Sequence, residues 1–227
     1  MTTLRTGKGD QTDGFAFVGR FSRCEGKVEQ RVAMISLPGA PVIYVEQLRA
    51  ATEVDVKEVA TGIIAILNED AKPLTRNERV VWTAAGREVM RGASAEAAER
   101  HTWKTSWANL DDRIGLVARA SGRMAYSETH AYQRARLQQE LVANYLAEVG
   151  PRRSGEIISR AVLGILPGAR YTHQLDLRVE PLGDGGVAVL FERWLVAVNL
   201  SEAQVTGEAF GNTLKLAPQG VTVQRLR

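Results

Sequence analysis

The sequence predicts an all-β protein, a large antiparallel β-sandwich of the supersandwich type followed by a small C-terminal β-sheet domain. Short apolar runs alternate with turn signals at roughly 8–15-residue intervals, which is the pattern of many short strands. Strict alternation recurs, as over residues 174–180, where Leu175, Leu177 and Val179 would share one strand face. Apolar residues are 44% of the 227 residues and charged residues 24%, which excludes a disordered chain.

The first strands of the chain follow a polar lead-in. Residues 1–13 are polar and glycine-rich, and we expect them to be flexible. The large sandwich is expected over residues 14–182. Its predicted strands, separated by turn signals, are 15–18, 27–37, 41–48, 62–67, 79–83, 102–107, 114–118, 156–166 and 174–180.

Two segments within the predicted sandwich also fit helices. Residues 93–100 are rich in alanine and would suit one or two helical turns. In the segment 132–149, the spacing of Leu137, Leu141 and Tyr145 favours a helix, whereas alternate residues from 137 to 145 would share a strand face. Because both flanks are β-rich, the strand is the preferred interpretation.

The C-terminal region is predicted as a separate small β-domain over residues 183–227. The run Pro-Leu-Gly-Asp-Gly-Gly at 181–186 is the clearest turn of the chain and marks the predicted boundary. Short strands are predicted after it at 187–191, 193–199, 204–210, 213–216 and 221–226.

Charge and targeting signals exclude several classes of protein. The net charge is only +3 and the basic residues are scattered, which argues against a nucleic-acid partner. The N-terminus lacks the apolar core of a signal peptide, and no apolar run reaches the roughly 18 residues of a membrane span. We expect no membrane partner, and either a cytoplasmic chain or part of a longer secreted protein. The single cysteine, Cys24, excludes an internal disulfide.

Motifs of catalytic and metal sites are absent from the sequence. It has no phosphate-binding glycine loop, no His-Glu-x-x-His and no Gly-x-Ser-x-Gly. His101, His130 and His173 are far apart and lack the spacing of metal ligands, so no metal or other cofactor is expected from them. The sequence assigns no catalytic residue.

The densest group of aromatic and polar residues lies at 101–113. If 102–107 is one strand, Trp103, Thr105 and Trp107 point to the same face, where two indole rings would stack on sugar rings. The polar residues that follow would then bind sugar hydroxyls: Asn109, Asp111, Asp112 and Arg113. Two alternatives remain open. Asn109 and the two aspartates would suit a calcium ion in a loop, or the tryptophans belong to the core and the polar run is a turn.

Two stretches resemble parts of carbohydrate-active enzymes. The tail has a hydrophobic strand ending in Asn199-Leu200-Ser201, followed by the pattern Leu-x-Leu-x-Pro-x-Gly-Val from Leu214, and it resembles the small C-terminal β-domain of many glycoside hydrolases. The body resembles the β-supersandwich region of glycosidases and polysaccharide lyases. Its landmarks are residues 28–30, 37–39, 42–47, 107–115, 155–159 and 166–168.

This resemblance implies a non-catalytic module that supports a catalytic domain or subunit, or that contacts a polysaccharide or oligosaccharide. In such enzymes the catalytic residues mostly precede the sandwich, in a barrel or helical toroid for which this chain has no room. A stand-alone lyase, epimerase or hydrolase would instead need a pocket of carboxylates, His and Tyr, with Tyr126 and His130 as candidate acid and base. A β-rich interaction protein would show an exposed apolar patch or a free strand edge.

Overall fold

The fold is described from a computed structural model. It describes residues 2–5, 13–37, 42–57, 64–68, 78–91, 100–103, 107–110, 112, 114–120, 124–132, 136–144, 150–167, 177–183 and 185–226. Over these residues the chain forms 21 β-strands and one 3-10 turn at Cys24–Gly26. None of the described segments forms a helix long and apolar enough to span a membrane.

The strands follow one another with short connections. In chain order they are β1 Thr2–Arg5, β2 Asp13–Arg23, β3 Val28–Ser36, β4 Val42–Ala50, β5 Val54–Val56, β6 Ile64–Asn68, β7 Glu78–Thr83, β8 Gly86–Arg91, β9 Arg100–Trp103, β10 Trp107–Leu110, β11 Ile114–Ala120, β12 Met124–Tyr132, β13 Arg136–Asn144, β14 Gly150–Arg152, β15 Ile157–Pro167, β16 Leu177–Leu182, β17 Gly186–Phe191, β18 Trp194–Asn199, β19 Val205–Ala209, β20 Asn212–Leu216 and β21 Val221–Arg225.

The all-β prediction is confirmed. The large sheet has nine strands in the order β1-β2-β3-β4-β15-β11-β10-β7-β8, and the second sheet has four in the order β16-β17-β18-β21. Two further groups are a four-stranded sheet, β6-β13-β12-β9, and the pair β14-β5. The hairpin β19-β20 is separate from these sheets. The segment 132–149, which also fitted a helix, contains strand β13, so the preferred strand interpretation is correct.

The main core lies between the large sheet and the second sheet. Alternate residues of β3 and β4 point toward the second sheet, and Ile35 and Ile43 are almost fully buried there. They pack against apolar residues of the second sheet, among them Val189 and Val196. We call this side of the large sheet its inner face. Period-two alternation in the sequence therefore reports which residues enter the core.

A third layer covers the other side of the second sheet. Leu190 and Leu195 point away from the large sheet and pack against Leu214 and Leu216 of the β19-β20 hairpin. The second sheet is therefore buried on both faces, which explains the continuous apolar run over β17, where every residue is buried.

A buried asparagine closes the corner after β18. Asn199 is fully buried, and its Nδ2 donates to the carbonyl oxygens of Ala203 (2.7 Å) and Ala217 (2.8 Å). Its Oδ1 accepts hydrogen bonds from the backbone N–H (2.8 Å) and the hydroxyl (2.7 Å) of Ser201. The Asn-Leu-Ser run of the tail is thus a structural corner in which each polar atom of the asparagine side chain is satisfied.

Strands lie at both places where the sequence predicts a boundary, the N-terminal lead-in and the start of the C-terminal domain. Within the lead-in predicted over 1–13, Thr2–Arg5 forms β1 and pairs with the start of β2. The boundary predicted at 182/183 falls in the turn between β16 and β17, which pair along their whole length. Of the segment 93–100, where helical turns were considered, residues 93–99 lie outside the described part of the chain and Arg100 begins β9. The division into domains stays a prediction.

Candidate functional site

Three side chains form one row across the end of the large sheet. In the register of the sheet, Trp82 of β7 lies opposite Asn109 of β10 on one side and opposite Arg87 of β8 on the other. Directly opposite residues share a face in an antiparallel sheet, so all three lie on the inner face. Trp107 of β10 lies on the same face, diagonal to Trp82.

Among the described residues, the main core covers this face as far as β10. Trp107 is half-buried and packs against the main core. Edge strand β16 of the second sheet lies against β11, the neighbour of β10. One strand farther out, Trp82 is 40% exposed. Trp82 and Arg87 are therefore exposed on the sheet beside the edge of the second sheet, and we call these two residues the tryptophan shelf.

Arg87 lies over the Trp82 ring, with its guanidinium carbon 5.8 Å from the ring centroid. This is a cation–π contact at an exposed site, where it contributes about 0.5–1 kcal/mol. In the part of the chain that the structure describes, Arg87 forms no salt bridge. The shelf thus offers a flat apolar ring next to guanidinium N–H donors that reach solvent.

Asn109, which lies opposite Trp82 on the neighbouring strand, has a structural role. Its side chain is buried, and its Oδ1 accepts a hydrogen bond of 2.8 Å from the backbone N–H of Asp112. Asp112 is exposed and has a φ of +54°, in the left-handed region that Asn and Asp tolerate better than most residues. This bond closes the β10–β11 turn and gives the polar run after Trp107 a local structural purpose.

The structure separates the two tryptophans that the sequence places on one strand. Trp103 ends β9, which belongs to the four-stranded sheet, whereas Trp107 begins β10 of the large sheet. The prediction of a single strand over 102–107 is therefore wrong. Strands β9 and β10 belong to different sheets, although the sequence alternates without a break from one to the other. Asp111 and Arg113 lie outside the described residues. Glycan contact by this set, and the calcium alternative that needs Asp111, stay predictions.

A second polar cluster lies on the opposite, outer face of the large sheet. Glu46 of β4 is 1% exposed, and it accepts hydrogen bonds from the Gln30 amide and the Tyr44 hydroxyl. Gln30 in turn accepts a hydrogen bond of 2.7 Å from Nε of Arg23. The chain Arg23–Gln30–Glu46–Tyr44 links three neighbouring strands and satisfies the buried carboxylate.

The pKa of Tyr44 is raised well above its ordinary range. Burial is the main cause, the negative charge of Glu46 is the second, and the hydrogen bond that Tyr44 donates to Glu46 is the third. The positive charge of Arg23 acts in the opposite direction. Tyr44 therefore keeps its proton at neutral pH and is poorly suited to act as a general base.

The sequence alone left the shelf unrecognised. Trp82 lies in the predicted strand 79–83, but one tryptophan in one strand does not indicate which strands will flank it. The shelf arises because β8 and β10 both pair with β7, and β10 is separated from β7 by more than 20 residues of chain. A single sequence carries no signal for that pairing.

Comparison with known proteins identifies no family. Neither a protein-family model nor a curated protein matches the sequence. One similar solved structure is heparinase III, with a TM-score of 0.38 and 13% sequence identity over 96% of this chain. The match covers 27% of the heparinase III chain, so this protein spans about a quarter of that length. The class that fold and site define is an all-β sandwich with exposed aromatic side chains on its sheet faces.

Proposed function

We propose that this chain is a non-catalytic β-sandwich module of a carbohydrate-active enzyme and that it contacts glycan through the tryptophan shelf. The observation that carries the proposal is Trp82, 40% exposed on a sheet face with Arg87 beside it. The C–H faces of sugar rings are apolar and fit a flat indole, while guanidinium N–H groups donate to sugar hydroxyl or carboxylate oxygens.

The exposed end of the large sheet at β7 and β8 also offers a surface for an extended ligand such as a polysaccharide. Trp107 borders the shelf on the side of the core, and strand β16 forms the edge of the second sheet nearby. A polysaccharide lying across β7 and β8 would meet Trp82 first and the edge of the second sheet next.

The other polar cluster supports a non-catalytic role. Tyr44 and Glu46 are buried, and their hydrogen bonds are directed at each other and at Gln30. An acid–base pair needs access to substrate and a pKa near the working pH, and a tyrosine whose pKa is raised by burial meets neither condition. The predicted acid and base, Tyr126 and His130, lie on β12, whose side chains are outside the described set.

A fluorescence titration tests the glycan proposal. The protein contains four tryptophans, and sugar stacking on Trp82 should quench a saturable part of their emission. We expect Trp82→Ala to weaken binding at least about tenfold across a panel of neutral and acidic polysaccharides, as loss of an aromatic anchor does.

The matched control is Ile157→Ala, because Ile157 of β15 is also 40% exposed but lies away from the shelf. Its affinity should equal that of the unmodified chain. Circular dichroism of each variant establishes that the fold is intact. Absence of saturable quenching by any polysaccharide, or equal affinity of Trp82→Ala and the unmodified chain, contradicts the proposal.

A further inference from the structure

A row of phenylalanines lies on strand β2, far from the tryptophan shelf. Phe15, Phe17 and Phe21 are 37%, 40% and 40% exposed and point to the outer face of the large sheet. Gly19 takes the alternate position between Phe17 and Phe21. A Cβ placed on Gly19 would lie 2.6 Å from Cζ of Phe17, so the ring of Phe17 occupies the space above the glycine. The row is therefore a continuous apolar strip.

Among the described residues, no strand pairs with the outer edge of β2 beside this strip. Strand order makes β1 the neighbour of β2 on that side, and β1 pairs only with residues 13–16. From Phe17 to Arg23, no strand of the described chain lies along the outer edge of β2. These seven residues extend about 23 Å, and alternate residues direct backbone N–H and C=O groups to this edge, where no described strand pairs with them.

The polar groups nearest the strip already form hydrogen bonds, and of these groups only Arg23 carries a positive charge. The Gln30 amide bonds Glu46 and Arg23, so it offers little to a sugar. The guanidinium of Arg23 lies 5.4 Å from the Phe21 ring centroid, and among the described residues it forms no salt bridge. The free edge therefore combines backbone groups, an apolar strip and one cation at its end.

We propose that residues 17–23 of β2 bind an extended segment of a partner polypeptide by strand addition. The segment would pair with the backbone of β2, place apolar side chains beside Phe17 and Phe21, and place a carboxylate near Arg23. Main-chain hydrogen bonds give affinity in this mode, and alternate side chains give specificity. The proposal stands apart from glycan binding, because its residues lie on another strand and on the other face of the large sheet.

The size of the strip favours a peptide segment over a second copy of this chain. Three rings exposed to this extent present about 200–300 Å² in all. A stable protein dimer buries about 800 Å² on each partner. A strand added to the edge supplements the small apolar area with backbone hydrogen bonds, which a face-to-face dimer of the strips would lack.

The test uses a labelled seven-residue peptide with valine at the positions beside the phenylalanines, threonine at the alternate positions and glutamate at the end nearest Arg23. Fluorescence anisotropy measures its affinity for the full chain. We expect saturable binding that Phe17→Ala and Phe21→Ala weaken at least about tenfold, while Ile157→Ala leaves it unchanged. N-methylation of alternate peptide nitrogens should weaken binding by a similar factor, because it removes the pairing donors.

Three results would overturn the proposal. The first is no binding, or binding that neither N-methylation nor the phenylalanine variants weaken. The second is a concentration-dependent dimer in light scattering that Phe17→Ala abolishes, which would assign the edge to a second copy. The third is polysaccharide quenching lost in Phe21→Ala, which would assign the strip to sugar. Circular dichroism confirms folding, which these half-exposed side chains should not control.

Discussion

Single residues explain the most specific features of this fold, and Asn199 is the clearest case. Its side chain forms four hydrogen bonds while fully buried, so no other residue type of that size could replace both its donor and its acceptor groups. The sequence marks this residue only as part of an Asn-Leu-Ser run. Its role depends on Ala217, which is distant in sequence, and no local pattern predicts that contact.

Replacing Asn199 with alanine should destabilise the protein strongly. The change leaves the carbonyl oxygen of Ala217 and the backbone N–H of Ser201 without their Asn199 partners in a buried corner, and it removes one of the two donors to the carbonyl oxygen of Ala203. We expect a loss of about 2–4 kcal/mol in the free energy of unfolding. Urea unfolding measures it. Asn212→Ala is the control, because Asn212 is half-buried and donates one hydrogen bond of 2.8 Å to Phe210. Equal denaturation midpoints for the two variants would refute the corner role.

Tyr44 should ionise at a higher pH than a tyrosine in the unfolded chain. Its pKa is raised above the ordinary value near 10, so the folded state keeps the proton at a pH where the unfolded chain loses it. Its contribution to stability is therefore complete below about pH 10 and is lost as pH rises further. Tyr44→Phe should show a shallower loss of stability between pH 9 and 11, measured by urea unfolding. An identical slope for both proteins would show that Tyr44 titrates normally.

At the scale of strands, the sequence predicts which residues are apolar and alternate but not which sheet each strand joins. Strands β17 to β20 were predicted to within one residue at each end, because their apolar patterns and turn residues agree. The passage from β9 to β10 was missed, since Trp103 and Trp107 continue one alternating pattern across a change of sheet. Strand pairing over long sequence separations depends on the whole fold, and a single sequence does not encode it locally.

The same limit applies to the two exposed aromatic surfaces. Phe15, Phe17 and Phe21 alternate in the sequence as core residues would. They are half-exposed because β2 lies next to the edge of the large sheet, a position that only the strand order reveals. Trp82 is exposed for a related reason, since β7 lies next to the other edge. Apolar side chains that alternate along a strand near the edge of a sheet are therefore exposed, and they form a candidate binding surface.

At the scale of the whole molecule, three β-layers hold these two surfaces apart. The large sheet, the second sheet and the β19-β20 hairpin share two cores, and Arg31 donates a hydrogen bond of 2.8 Å to the carbonyl of Leu200 between the first two layers. The shelf lies on the inner face near β8, and the free edge lies on the outer face near β1. The two proposed binding surfaces therefore do not overlap.

The most direct test of glycan binding at the tryptophan shelf observes the four tryptophans separately. Their indole N–H signals in a ¹⁵N NMR spectrum are assigned by single Trp→Phe variants, and the polysaccharide that quenches fluorescence is then titrated in. We expect the Trp82 signal to shift most, the signal of Trp107 at the border of the shelf to shift less, and the signal of Trp194, which packs against the main core on β18, to stay in place. A shift confined to Trp103 or Trp194, with Trp82 unmoved, would contradict it.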